Sequence, residues 1–124
     1  MRKNTIVIAV TAFLAVGAGA VPAHAGSRFG CVYPRVCFYQ TSTDWLARKP
    51  TASYRDMTSE FQKLGSRAEG SYAVYNSRID DSAWLKMSDD SRSCLGPNDN
   101  WFYDQGDTPE RVMGVQIVDE DECY

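Results

Sequence analysis

The chain has 124 residues, 13 basic and 16 acidic side chains, a net charge of −3 and a hydrophobic fraction of 44%. That is enough apolar material for one folded domain and too little for several. The acidic balance works against nucleic acid as a partner, because phosphate backbones attract clustered cations.

The N-terminus reads as a leader. Arg2 and Lys3 form a short positive region, and Thr5 to Val21 follows without a charge. Ala23-His24-Ala25 then places small residues on either side of one variable position, the pattern a signal peptidase reads. The uncharged run of about 17 residues falls short of the about 20 needed to cross a bilayer. Gly17, Gly19 and Pro22 also weaken a helix near its exit. The sequence therefore predicts a signal peptide over residues 1–25 and a single secreted domain over residues 26–124. That domain is expected to be extracellular, monomeric and free of the membrane after cleavage.

Cleavage changes the charge and the chemistry. Loss of Arg2 and Lys3 leaves 11 basic residues against 16 acidic ones, a net charge of −5. The single histidine, His24, leaves with the leader. Without imidazole, neither Ser-His-Asp nor Cys-His catalysis is possible, and neither is His-ligated zinc. Carboxylate-pair hydrolysis is the chemistry that remains, and Glu60, Glu69 and Glu110 each stand alone in polar surroundings. The domain is expected to be no enzyme and to need no cofactor.

Along the chain, short strands alternate with polar turns. Val36 to Gln40 is β-branched and aromatic, and the turn-prone Thr41-Ser42-Thr43-Asp44 follows it. Met57 to Leu64 fits one helical turn or a short strand, with Gly65 placed as a stop. Tyr72 to Asn76 repeats the aromatic strand character and gives way to the polar stretch from Ser77 to Ser82. From Ala83 to Ser88 the pattern alternates, with Ala83, Leu85 and Met87 on one face and Trp84, Lys86 and Ser88 on the other. Asn98, Asp99 and Asn100 mark a turn before Trp101-Phe102-Tyr103. Val112 to Val118 is a further strand, stopped by the acidic run from Asp119 to Glu122. An all-β domain is predicted.

A faint internal repeat relates residues 36–47 to residues 73–86. Each segment has a strand ending near Tyr, then a polar turn, then Trp-Leu. Two such halves facing one another would build a double Greek-key sandwich.

All four cysteines lie beyond the leader, and an even number in a short exported chain reads as two disulfides. Cys31 and Cys37 flank a turn containing Pro34, so a local bridge is geometrically easy. Cys94 would then pair with Cys123. A zinc site built from the four lacks paired Cys-x-x-Cys knuckles.

The opening CVYPRVCFY (Cys31 to Tyr39), followed by a duplicated β pattern, resembles the microbial secreted metalloproteinase inhibitors with a βγ-crystallin-like fold. The resemblance extends loosely over residues 31–123. It departs from that family in two places: no Gly stands between Thr41 and Trp45, and the second bridge spans a long segment. It implies a sandwich stapled by two disulfides and a secreted protease as partner.

A proteinase inhibitor presents a rigid, substrate-like segment, so that little entropy is lost on docking. Cys94-Leu95-Gly96-Pro97 places an apolar side chain between a half-cystine and a proline, and Leu95 is the expected contact for a metalloproteinase. The alternative loop is Pro34-Arg35, where Arg35 would suit a trypsin-like pocket. Leu95 as a buried core residue is the competing expectation.

Asp89-Asp90-Ser91-Arg92-Ser93-Cys94 resembles the βγ-crystallin calcium motif, with Asp89, Asp90 and Ser93 as weak ligand candidates and Cys94 in place of the last hydroxyl. Calcium needs six to eight oxygens, and Arg92 lies within the segment, so no bound metal is expected. The aromatic residues, Trp45, Trp84 and Trp101 among them, would build the core. Any left exposed would form a platform for a polysaccharide or a protein. A binding module of the cell surface is thus the alternative function, and an exposed Trp101-Phe102-Tyr103 would favour it.

Overall fold

The structure, a computed structural model, describes residues 26–103 and 110–123; the expected signal peptide, 1–25, lies outside the described residues. Strand β1 (Val36–Tyr39) is apolar along its whole length and buried on both faces. Val36 and Phe38 enter the main core, while Cys37 and Tyr39 join a second cluster behind it. A strand covered on both sides cannot alternate in polarity, which is why its sequence reads as a continuous run. Strand β4 (Ala73–Asn76) behaves in the same way, and pairs with β1 in register from Val36–Asn76 to Tyr39–Ala73.

Two further strands complete this sheet: β2 (Ala52–Tyr54) at one edge and β7 (Asn100–Phe102) at the other, in the order β2-β1-β4-β7. The second sheet has the order β3-β8-β5-β6, from β3 (Gln62–Lys63), β5 (Ser82–Met87), β6 (Arg92–Leu95) and β8 (Val112–Val118). All the strand pairs are antiparallel. In β5, Ala83, Leu85 and Met87 are buried, as the alternation requires, and Trp84 and Lys86 are less so. Of Met57 to Leu64, only Gln62–Lys63 forms a strand, β3, which pairs with β8; Met57 makes an isolated bridge to Ile117 and the segment has no helical turn.

The two sheets are related by a shift of four strands. Adding four to each label of β2-β1-β4 gives β6-β5-β8, the run found in the second sheet. The third strand of each half, β3 or β7, sits at the edge of the opposite sheet. In strand order, β1 to β4 and β5 to β8 therefore correspond, each set having its third strand in the other's sheet.

The sequence repeat does not coincide with these halves. Residues 36–47 cover β1 and a short helix, α1 (Ser42–Leu46), whereas residues 73–86 cover β4 and most of β5. Trp45 therefore stands on a helix and Trp84 in a strand. The topology makes β5, not β4, the counterpart of β1.

Helix α1 replaces the expected turn from Thr41 to Asp44. Thr41 caps it, with its hydroxyl accepting from the Asp44 amide and the Asp44 carboxylate accepting from the Thr41 amide. This reciprocal arrangement satisfies two backbone donors at once. Trp45 then folds back edge-on to Tyr39, with ring centroids 4.9 Å apart. Phe29 lies 4.6 Å from Trp45 on the same layer.

The N-terminal segment closes over this aromatic layer. Gly30 has φ +74°, and a Cβ there would lie 1.9 Å from the Arg48 carbonyl oxygen. Glycine alone permits so close an approach. The Tyr39 and Tyr75 hydroxyls donate to the Phe29 and Gly26 carbonyls, tying the segment to the sheet. Both disulfides form as expected, Cys31–Cys37 and Cys94–Cys123, and no described cysteine is free.

Candidate functional site

The first candidate, Cys94-Leu95-Gly96-Pro97, is corrected by the structure. Leu95 ends strand β6 opposite Ala83, is 2% exposed and belongs to the core between the sheets. Strand alternation is the reason: Cys94 faces outward to its bridge, so its neighbour must face inward. The Leu95 and Gly96 carbonyls also accept from the buried Asn76 amide, at 3.2 and 3.1 Å. Leu95 cannot enter a protease pocket without leaving the core.

The second candidate, Pro34-Arg35, does lie on a surface loop, within the ring closed by Cys31 and Cys37. Its main chain is held at every step. The Arg35 amide donates to the Val32 carbonyl, the Tyr33 amide to the Ser27 hydroxyl, and Arg78 Nη1 to the Pro34 carbonyl. The Arg35 carbonyl accepts from both the amide and the hydroxyl of Ser77, at 3.0 and 2.6 Å. Arg35 keeps an exposed side chain, but its carbonyl is already taken and faces the protein. A residue docking as substrate in a serine protease must offer that oxygen to the oxyanion hole.

The ring presents one further side chain. Val32 is 59% exposed and directly follows Cys31. Cys31-Val32-Tyr33-Pro34 shares with Cys94-Leu95-Gly96-Pro97 the pattern of half-cystine, apolar residue, any residue and proline. That shared pattern is the sequence signal that points to Val32. Cys31 itself is only 1% exposed, so the Cys31–Val32 peptide bond is shielded from attack.

The ring is anchored on a buried polar network. Arg78 donates through Nε to Asp81, and also reaches the Pro34 and Arg55 carbonyls. Asn76 accepts from the Arg78 amide and donates to the Asp81, Leu95 and Gly96 carbonyls. Four separate stretches of chain meet here, which gives the polar run from Asn76 to Ser82 its structural purpose. Burial pushes the Asp81 carboxyl above the usual range, against the opposing pull of Arg78.

Asp89, Asp90 and Ser93 are each engaged elsewhere. The Asp89 carboxylate accepts from the Ser91 amide and hydroxyl, which holds its pKa below the usual range. Asp90 adopts φ +66° in the β5–β6 hairpin and pairs with Lys86 at 3.5 Å. The Ser93 hydroxyl lies 3.5 Å from that of Tyr103. Among the described residues, no cluster of three or more acidic, cysteine or histidine side chains is arranged to hold a metal ion.

The exposed aromatic residues lie on the edge strand β7. Trp101 is 56% exposed and Phe102 44%, and they point to opposite sides of the strand. Phe102 extends the layer of Trp45 and Tyr72, with centroids 5.0 and 5.6 Å away. Tyr103 is half-buried, and burial pushes its hydroxyl pKa up. Among the described residues, β7 pairs with β4 alone, as the outermost strand of its sheet.

The chain matches no family model, no curated protein and no solved structure. No helix among the described residues is long and apolar enough to cross a membrane.

Proposed function

We propose that the chain is exported by its leader and that its mature domain is a βγ-crystallin-like double Greek key that acts by binding a protein, without catalysis. The exchange of third strands between equivalent halves supports the fold reading. The folded-back helix α1 stands where a crystallin-type hairpin would need its glycine. The two disulfides suit an oxidising compartment.

One observation carries the binding role: two adjacent large aromatics are left exposed on an edge strand of a small domain. An open strand edge offers unpaired main-chain groups to an incoming strand. Trp and other aromatic side chains are the residues that most often dominate binding energy at interfaces. The absence of histidine from residues 26–124 supports a non-catalytic role. Photo-crosslinking from position 101 against the extracellular fraction of producing cells tests this reading.

A second reading, inhibition of a secreted proteinase, keeps one specific observation in its favour. The ring from Cys31 to Cys37 is braced by its disulfide, with the Val32, Pro34 and Arg35 carbonyls engaged and with Val32 and Arg35 exposed. Such a ring would block a cleft by docking and would not be cut. Titration against metallo-, serine and cysteine proteinases, with Val32→Asp and Arg35→Ala, separates it from the first.

A further inference from the structure

The outer face of the second sheet carries a feature that neither reading uses. Lys63 and Lys86 are both register partners of Gly114, and Lys86 is the partner of Arg92. Three cations therefore stand in one row across β3, β8, β5 and β6, interrupted only by a residue without a side chain. At the usual spacing of about 4.8 Å between strands, Lys86 lies one step from Arg92 and two steps from Lys63. Like charges directly across a strand pair weaken the pair. The row stands out in a mature domain of net charge −5.

Phe61 lies over the middle of this row. A Cβ at Gly114 would lie 3.3 Å from the Lys86 Cβ and 3.6 Å from the Phe61 Cβ, so Phe61 and Lys86 both stand against this position. Arg92 sits over the Phe61 ring at 5.3 Å from its centroid. The surface is hollowed around Phe61 and Lys86: a cavity of about 350 Å³ reaches Lys63 and Gly114, and one of about 570 Å³ reaches Arg92 and Gln116. Asp90 and Glu60 also line these hollows, with Asp90 paired to Lys86.

We infer that this groove binds a linear, carboxylate-bearing polysaccharide. The cations follow a line, which suits regularly spaced charges on an extended chain and not a single small anion. Arg92 offers a planar fork matched to a carboxylate. The Phe61 ring, packed beneath Arg92, holds that guanidinium over the groove, and Gln116 offers a polar group beside it. A nucleic acid fits less well, since stable binding draws on many phosphate contacts spread over a wider footprint. With screening over about 8 Å at physiological salt, acidic residues elsewhere on the domain have little effect on the groove. The site lies on the sheet opposite β7 and is independent of that edge.

The test is calorimetric titration of the mature domain with polygalacturonate in the presence of a chelator, alongside its fully methyl-esterified form and poly(dT). Saturable binding to polygalacturonate is expected, weakened by added salt and lost with the ester. The double variant Lys86→Ala/Arg92→Ala should weaken it at least tenfold with an unchanged melting temperature. Lys63→Ala, at an exposed position, should weaken it severalfold even if the double variant is unstable. Binding of the ester or of poly(dT) as tight as that of polygalacturonate would overturn the assignment. So would the absence of binding, or undiminished binding by Lys63→Ala and the double variant.

Discussion

Arg78 and Asp81 form a buried ion pair in which Nε and Nη2 of the guanidinium both reach the same carboxylate oxygen at 2.6 Å. Both side chains are almost fully enclosed, and Arg78 also holds the Pro34 carbonyl of the disulfide ring. Asp81→Asn would leave the guanidinium charge buried without compensation. Loss of about 3–5 kcal/mol is expected, the usual cost of removing one partner of a buried pair. Urea unfolding of the 26–124 domain measures it, and a loss below about 1 kcal/mol would place the pair in the range of a surface salt bridge.

Leu95→Ala should destabilise by about 2–5 kcal/mol, the range for truncating a buried leucine. Leu95→Asp should not fold, because a carboxylate would replace an apolar side chain in the core. Thermal melts of both variants check this. A Leu95→Asp protein that melts like the wild type would restore Leu95 as a surface contact.

The fate of Leu95 shows where the sequence is legible and where it is not. Val36 to Tyr39, Ala73 to Asn76, Ser82 to Met87 and Val112 to Val118 are readable because burial leaves apolar runs or clean alternation. Arg92 to Leu95 is not, because a strand of Arg, Ser, Cys and Leu owes its place to pairing with β5 and to a disulfide. Strand β2 owes its place likewise to β1, and Ala-Ser-Tyr carries little period of its own. Helix α1 was hidden because Thr, Ser and Asp serve turns and helix caps equally well. Of the candidate site residues, the cysteine pairing was accessible from spacing. The exposure of Trp101 and Phe102 was not, because it depends on β7 ending up at a sheet edge.

Alkaline pH should unfold the domain. Burial pushes the Tyr39, Tyr75 and Tyr103 hydroxyls above the usual range. The folded state then holds these protons more tightly than the unfolded chain does. Stability is therefore untouched below about pH 10, the ordinary tyrosine value, and falls as pH rises past it. Melting temperatures should be flat from neutral pH to about 10 and then drop. Tyr39→Phe should soften the drop while lowering stability at neutral pH, through loss of the hydrogen bond to the Phe29 carbonyl. A drop as steep as that of the wild type would show that Tyr39 is not a source of the alkaline loss.

The two disulfides should differ in access and in weight. Cys31 and Cys37 are each 1% exposed, whereas Cys123 is at the surface. Mild reductant under native conditions should open Cys94–Cys123 first, as mass mapping after alkylation would show. On loop length alone, the Cys31–Cys37 bridge contributes about 2.4 kcal/mol and the longer Cys94–Cys123 bridge about 3.6. The Cys94→Ser/Cys123→Ser variant should accordingly lose more stability than Cys31→Ser/Cys37→Ser. The reverse order would mean that the ring's anchoring on Ser77 and Arg78 outweighs chain entropy.

Binding through the β7 edge is tested most directly by a photo-crosslinking residue placed at position 101 of the 26–124 domain. Irradiation in the extracellular fraction of producing cells should give one discrete protein adduct. Excess wild-type domain should compete it away, and a Trp101→Ser/Phe102→Ser variant with unchanged melting should not. A crosslinker at Ser53, on the opposite edge of the same sheet, should give no such adduct. An adduct from position 32 and none from 101 would move the contact to the disulfide ring and favour the inhibitor. No adduct from either position would contradict binding as the function.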